Sequence, residues 1–348
     1  MTEARGFKHY PSELDLDDAS ILVTGGTGSF GKAFLKSVLT IYRPARVVVF
    51  SRDEFKHYEM AAELPEAERG RVRFFIGDVR DRDRLAMALR GVDYVVHAAA
   101  LKHVPTAEYN PFECVHTNII GAENVVNAAI QCGVKRVIAL STDKAASPIN
   151  LYGASKLASD KIFVAANHLS GRDGCRFAAV RYGNVVGSRG SVLPFFRRLI
   201  AEGATSLPIT DDRMTRFWIT LPQGVEFVLS CLDIMRGGEI FVPKIPSMRI
   251  SDLASALAPT LAQHTVGIRP GEKLHEVMVT RDDARTTVDL GDRYIIEPYA
   301  HYWDQSWTSL AENGATRVPE DFEYTSDRNS EWLDAAGLNR LLEDAPSS

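Results

Sequence analysis

The sequence predicts an α/β protein built on a doubly wound parallel sheet, and three observations predict it. Short apolar runs alternate with amphipathic stretches, the apolar runs carry no regular polar alternation, and a glycine-rich turn joins the first run to the first amphipathic stretch. A strand covered on both faces reads as a nearly continuous apolar run. Alternation with helical stretches is what helices laid on both faces of a parallel sheet require.

In order, strands are expected at 20–24, 46–50, 72–76, 94–98, 136–140 and 177–181. Helical periodicity occupies 30–39, 83–89, 118–130 and 152–166. After Asn184 the alternation loosens, with Gly187, Gly190, Pro194, Gly203 and Pro208 breaking the chain into short elements. A smaller C-terminal α/β lobe is expected to begin there. One more helix at 221–235 and one more strand at 239–242 would return to the large sheet. The expected division is an arm at 1–18, a nucleotide-binding domain at 19–186 rejoined by 217–245, a small lobe from 187–216 and 246–300, and an extension at 301–348 with little pattern.

Composition narrows the partners. With 348 residues, 45% of them hydrophobic and 24% charged, the chain is of ordinary globular make-up. Its net charge of −5 argues against a nucleic-acid partner, which calls for a basic face. Cys114, Cys132, Cys175 and Cys231 are scattered with no CxxC spacing, so neither a disulfide framework nor a metal site is expected. The first 18 residues are polar and no run of about 18 apolar residues occurs, so a cytoplasmic protein without membrane insertion is expected.

The first strand runs into Thr24-Gly25-Gly26-Thr27-Gly28-Ser29-Phe30-Gly31, with glycines at 25, 28 and 31. Glycine suits a tight turn that approaches a pyrophosphate, whose charge then rests at the N-terminus of the next helix. This places a Rossmann-type dinucleotide site at the start of the chain. The second strand ends in Ser51-Arg52-Asp53, and Arg52 with Lys56 would hold a 2′-phosphate, favouring NADP over NAD. The plainer alternative makes this a solvated helix start with Asp53 as its cap. Asp78 and Val79, after the third strand, would reach the adenine.

Tyr152 and Lys156 form a YxxxK pair whose i, i+4 spacing puts both on one helix face. The lysine is expected to lower the phenol pKa and make Tyr152 a usable base. The pair follows the fifth strand at the sheet edge where such folds hold ligands.

Together with these, the strings His97-Ala98-Ala99-Ala100-Leu101-Lys102-His103-Val104-Pro105, Asn118, Ser141-Thr142-Asp143-Lys144-Ala145 and Arg181-Tyr182-Gly183-Asn184 resemble the extended short-chain dehydrogenase/reductases. With Thr215-Arg216-Phe217-Trp218 and Arg269-Pro270-Gly271-Glu272-Lys273, the chain looks more narrowly like the inverting UDP-N-acetylglucosamine 4,6-dehydratases of bacterial surface-sugar pathways. The resemblance runs from about 21 to 299. It implies that Ala98, Ala99, Ala100, Lys102, Leu140, Ser141, Tyr182, Gly183, Asn184 and Val185 join the glycine turn in lining the dinucleotide. Lys102, His103, Asn184, Ser191, Val192, Arg216, Arg269 and Glu272 would face a UDP-sugar, and a homo-oligomer, dimer or hexamer, is implied.

A 4,6-dehydratase oxidises C4, removes the C5 proton, expels the C6 hydroxyl as water and returns hydride to C6, so it needs two proton-transfer groups beyond Tyr152. Asp143 and Lys144 would be these groups, with Thr142 near the C4 oxygen. In this reading a partly neutral Lys144 takes the C5 proton and Asp143 protonates the leaving hydroxyl, although the sequence leaves their order open. A related C5-epimerase and a catalytically silent dinucleotide sensor are the competing readings.

Overall fold

The structure, a computed structural model, describes residues 10–188, 190–304 and 306–343. Its large sheet begins as expected. The strands β1 (Ser20–Thr24), β2 (Arg46–Ser51), β3 (Val72–Ile76), β4 (Tyr94–His97), β5 (Arg136–Leu140) and β6 (Arg176–Val180) lie in the order 3-2-1-4-5-6, all parallel. The register places the ends of β1 and β4 side by side, with Thr24 opposite His97. The α/β class and the doubly wound parallel sheet are therefore borne out.

Beyond β6 the sheet continues. Ile240–Pro243 pairs parallel to β6, and Arg293–Ile296, Thr287–Asp289 and Thr316–Arg317 follow antiparallel, making ten strands among the described residues. Segment 287–296, expected in the small lobe, thus extends the large sheet instead. An uncovered Ile240–Pro243 would be an apolar open edge, which the hairpin closes. Its turn carries Gly291 at φ +90°, and Leu290 N donates to Arg293 O at 2.9 Å. The residues expected to rejoin the sheet from 217 do so only after Thr215–Ile219, which pairs with Ser247–Arg249 and Asn184–Val185 in a separate three-stranded sheet.

Helices cover both faces. On one face Phe34 and Val38 of helix α1 (Ser29–Ile41) pack with Phe227 and Val228 of helix Leu221–Ile234, whose start is closed by a Thr220–Gln223 capping box. Tyr10, Leu14 and Leu16 join this core, and Tyr10 is 2% exposed with its ring 4.7 Å from Phe227. Residues 10–18 are therefore packed structure rather than a loose arm, while 1–9 lie outside the described residues. On the other face Leu85, Val125, Ala129 and Phe163 fill the core from helices Arg82–Ala88, Gly121–Cys132 and Leu151–Ser170.

The helix expected at 118–130 starts with a π turn, His116–Ile120. A wider turn re-aims a side chain, and such turns gather at functional sites. Here Asn118 Nδ2 donates to Leu101 O at 2.9 Å and Asn118 Oδ1 accepts from Leu101 N at 2.8 Å, which ties the segment after β4 in place.

The small lobe has its own core of Leu193, Phe196, Met214, Trp218 and Leu253, closed by Leu338 and Leu341 of helix Ala335–Glu343. Among the described residues no helix is long and apolar enough to cross a membrane, and no His/Cys/Asp/Glu group could hold a metal ion.

Candidate active site

The carboxyl ends of β1 to β6 open into one cleft of about 1200 Å³, walled on its far side by the small lobe. Every residue expected to touch a dinucleotide or a sugar lines it except Gly31 and Asp143. Gly25 is at φ +64°, and a Cβ there would come within 2.9 Å of Ala99 N. A Cβ on Gly31 would collide with the carbonyl of Gly26, so Gly31 lets the helix pack under the turn without facing the cleft. Gly28 caps α1 with no side-chain hydrogen bond, leaving the first backbone N–H groups of the helix toward the cleft. Uncapped donors at a helix N-terminus bind anions. Thr27 Oγ1 and Ser51 Oγ, 2.8 Å apart, join the first and second strand ends. This cradle fits a dinucleotide pyrophosphate.

Asp53 caps α2 (Glu54–Glu63) by accepting from Lys56 N at 3.1 Å, and its carboxylate pairs with Lys56 Nζ at 2.6 Å. The Lys56 hydrogen bonds hold the Asp53 carboxyl below its ordinary range. Arg52 is 54% exposed and sits 3.5 Å from Asp78. Burial pushes the Asp78 carboxyl up, but hydrogen bonds from Arg80 and the charge of Arg52 outweigh it and leave it low. The cap and the two cations thus coexist.

Tyr152 lies in the first turn of helix Leu151–Ser170, which Asn150 caps through Gly153 N at 2.7 Å. Burial pushes the phenol up to about 12, opposed by the charge of Lys144 and a hydrogen bond with Thr142. Lys156, one turn on, is tied to the end of β5. Its Nζ donates to Leu140 O at 2.7 Å. Burial lowers the Lys156 pKa against the pull of Asp160. The lysine that acts electrostatically on Tyr152 is Lys144.

Thr142 caps a short 3₁₀ turn, Asp143–Ala145, and its hydroxyl donates to Asp143 Oδ1 at 2.9 Å. Lys144 Nζ donates to the same oxygen at 3.0 Å. Asp143 is wholly buried behind the cleft wall, so it reaches the cleft only through these two neighbours. Burial raises the Asp143 carboxyl, outweighing the Lys144 charge. Burial lowers Lys144, yet Asp143 and Glu276 overcome it and lift the ammonium above its ordinary range. Its two carboxylate neighbours thus favour the ammonium form of Lys144, against the partly neutral amine expected from the sequence.

Glu276 is a charged cleft residue that sequence reading missed. Its Oε1 is 3.2 Å from Lys144 Nζ and 3.6 Å from Arg216 Nε. Burial pushes its carboxyl up, but Lys144, Arg216 and Lys273 win and hold it below the ordinary range. Its only signal in the chain was its position just past Arg269-Pro270-Gly271-Glu272-Lys273, in a segment with no helical or strand period.

Arg216 lines the cleft at 6% exposure, with its fork donated to the carbonyls of Thr215, Leu274 and Lys273 at 2.7, 3.1 and 2.9 Å. It braces the 269–276 strap. Arg269 is 70% exposed and 3.6 Å from Glu272, so it is the freer guanidinium. Lys102, Asn184, Ser191 and Val192 line the same wall. The His103 ring lies against Gly190, where a Cβ would approach Cε1 to 2.8 Å. Arg189, in the same loop, lies outside the described residues.

A family model described as polysaccharide biosynthesis protein matches residues 21–298. The chain belongs to this family. It is 57% identical to an inverting UDP-N-acetylglucosamine 4,6-dehydratase of Campylobacter jejuni, over 93% of this chain and 97% of that one. It is also 40% identical to a UDP-glucose 4-epimerase of Rickettsia akari, over 93% and 95%. Among solved structures, Pen from Bacillus thuringiensis superposes with a TM-score of 0.85 at 36% identity, covering 95% of this chain and 99% of that one. DesIV, a dTDP-glucose 4,6-dehydratase from Streptomyces venezuelae solved with NAD bound, gives 0.66 at 27% identity over 84% and 95%. The resemblance read from the motifs, to short-chain dehydrogenase-type enzymes and within them to the inverting dehydratases, is borne out.

Proposed function

We propose that this protein dehydrates UDP-N-acetylglucosamine across C5 and C6 with NADP as its resident cofactor, inverting C5 to give the UDP-linked 2-acetamido-2,6-dideoxy-β-L-arabino-hex-4-ulose. The observation that carries this reading is Lys144 beside Tyr152 in one cleft, with Asp143 buried behind it and 3.0 Å from its ammonium nitrogen. Oxidation at C4 needs a single base, whereas elimination of water needs a further base and a further acid.

When bound, the nicotinamide would supply hydride chemistry, taking a proton and two electrons from C4 and returning them at C6, so the reaction is redox-neutral. Gly25, Gly28 and the α1 N-terminus would hold its pyrophosphate, and Arg52 with Lys56 its 2′-phosphate, each cation exchanging an acidic neighbour for the phosphate. Tyr152 takes the C4 hydroxyl proton, with Thr142 hydrogen-bonded near the same oxygen. Lys144 passes its proton to Asp143 across their 3.0 Å hydrogen bond, which turns an ion pair into an amine base and a carboxylic acid. The amine removes the C5 proton, acidified by the new C4 ketone. The Asp143 proton reaches the departing C6 hydroxyl through Thr142 Oγ1, 2.9 Å away. C5 then takes a proton from water on the opposite face, which inverts that centre, and Tyr152 returns the proton it took from the C4 hydroxyl to solvent. Arg269, Glu272 and Asn184 would hold the uridine diphosphate, with Arg216 bracing the strap that carries the first two.

The epimerase relative favours one second reading, and product mass separates the two. Incubation with UDP-N-acetylglucosamine should give a product lighter by one water, with L-arabino configuration at C5 by NMR. A product of unchanged mass would refute dehydration. Lys144→Ala should keep NADP binding and stop water loss.

A further inference from the structure

The proton path above leaves one buried carboxylate in the cleft without a task. Glu276 is 1% exposed, and its Oε2 has no hydrogen-bond partner among the described residues, the nearest cation being Lys273 Nζ at 3.9 Å. Burying an unsatisfied carboxylate oxygen costs stability that packing does not return, and such groups gather at functional sites. Its backbone is fixed on both sides by the C-terminal segment. Glu276 N donates to Ser326 Oγ at 2.9 Å, and Ser326 N donates to Glu276 O at 2.9 Å. Ser326 Oγ stands 2.7 Å from Thr215 Oγ1, so three separate segments set where this carboxylate points.

Lys144 Nζ therefore sits between two carboxylates, Asp143 Oδ1 at 3.0 Å and Glu276 Oε1 at 3.2 Å. We propose that Glu276 is a positioning residue of the dehydration: it forms the second jaw of a clamp on Lys144 and directs that lysine's proton to Asp143. The proposal rests on the dehydratase reading.

The direction follows from what surrounds each jaw. Glu276 faces Arg216 from strand Thr215–Ile219 and Lys273 from its own strap, which keep it ionised. Asp143 faces only Thr142 and Lys144 as hydrogen-bond partners, with Oδ2 unpartnered, and burial raises its proton affinity. Where two titratable groups are pushed apart by their surroundings, the proton goes to the one pushed up. Lys144, 3.0 Å from Asp143 and 3.2 Å from Glu276, thus yields its proton to Asp143, which makes Lys144 the C5 base and Asp143 the acid. The other groups facing Lys144 are Tyr152 from helix Leu151–Ser170, whose phenol it pulls down, and Arg216 and Lys273, whose positive charges oppose the ammonium. Glu276 counters Arg216.

The test reads Lys144 directly and does not depend on turnover. The NADP-loaded protein is labelled with trace acetic anhydride across a pH series, and acetylation at Lys144 and Lys273 is read by mass spectrometry. In the wild-type protein Lys144 should become reactive at higher pH than Lys273, whose affinity for its proton burial lowers. The opposite order overturns the proposal, even if no variant folds. Glu276→Gln should move the Lys144 midpoint down by about one pH unit or more, and Glu276→Asp, which keeps the charge, should restore most of it. With UDP-N-acetylglucosamine, Glu276→Gln should lower kcat about tenfold, change KM less than about threefold, and shift the acid limb of kcat downward with the labelling midpoint. A Gln variant with an unmoved midpoint, or with a lower kcat and an unmoved acid limb, is a structural defect only and sinks the idea. Absence of dehydration with the clamp intact would instead sink the dehydratase reading.

Discussion

Lys156 Nζ and the carbonyl oxygen of Leu140 stand 2.7 Å apart, so the lysine one turn beyond Tyr152 is fastened to the end of β5. The phenol is left to the charge of Lys144 and the hydroxyl of Thr142, which work against a burial that lifts it to about 12. Tyr152→Phe should cut kcat by about 10² to 10⁴ with NADP affinity unchanged. Thr142→Val removes one of the two groups that favour the phenolate, and it should slow turnover by about tenfold. Steady-state rates with cofactor affinity measured in parallel check both.

Arg52 is the group that would tell the two dinucleotides apart. It is half exposed, and its partner Asp78 is shared with Arg80, so a phosphate can recruit it at small cost. Arg52→Ala should weaken NADP binding about tenfold to hundredfold and leave NAD binding nearly unchanged. Calorimetric titration of apoprotein with each cofactor decides the matter, and equal losses for both would assign Arg52 to the helix start alone.

His97, at the end of β4, is 1% exposed, with Nδ1 2.8 Å from Thr24 Oγ1. Burial, helped by the charge of Lys156, lowers its pKa to about 3. The unfolded chain therefore binds a proton at this site between roughly pH 6.5 and 3 that the folded chain refuses. The contribution is absent above that window and becomes a growing penalty as pH falls through it, at up to about 1.4 kcal/mol per pH unit. In urea titrations at successive pH values, His97→Gln should show a shallower acid loss than the wild-type protein.

Arg181, 2% exposed, joins three parts of the molecule. Its guanidinium lies 3.4 Å from Asp160 on helix Leu151–Ser170 and 3.4 Å from Asp283, and it donates to Met278 O at 2.8 Å. Removing one partner of a buried ion pair strands the other, so Arg181→Ala should cost about 3–5 kcal/mol. Urea unfolding measures the loss. Because Asp160 also accepts from Ser141 at 2.8 Å, that helix should loosen from β5 as well, visible as faster amide exchange in its first turns.

The first six strands could be read residue by residue because burial on both faces leaves an apolar run with no other explanation. The glycine turn was equally plain, since Gly25 and Gly31 stand where a Cβ would strike backbone. Less legible were the strands at 287–289 and 293–296, which are only three and four residues long, too short to show a period among their polar residues. The packing of residues 10–18 was hidden for a related reason. Its buried Tyr10, Leu14 and Leu16 are spaced among acids, and only the groove beside Phe227 makes sense of them.

By itself the sequence determined the sheet, the cradle, and which residue types stand at the strand ends, because these follow from local periodicity and from the steric demands of a few glycines. Tertiary structure decided the charges. The ammonium form of Lys144 is favoured because Asp143 beside it and Glu276 from over a hundred residues away converge on one nitrogen, and that lysine's charge pulls down the phenol of Tyr152. A proton's affinity for a site depends on which charges lie within a few ångströms and how much water is excluded, and neither quantity is written in the spacing of residues along a chain.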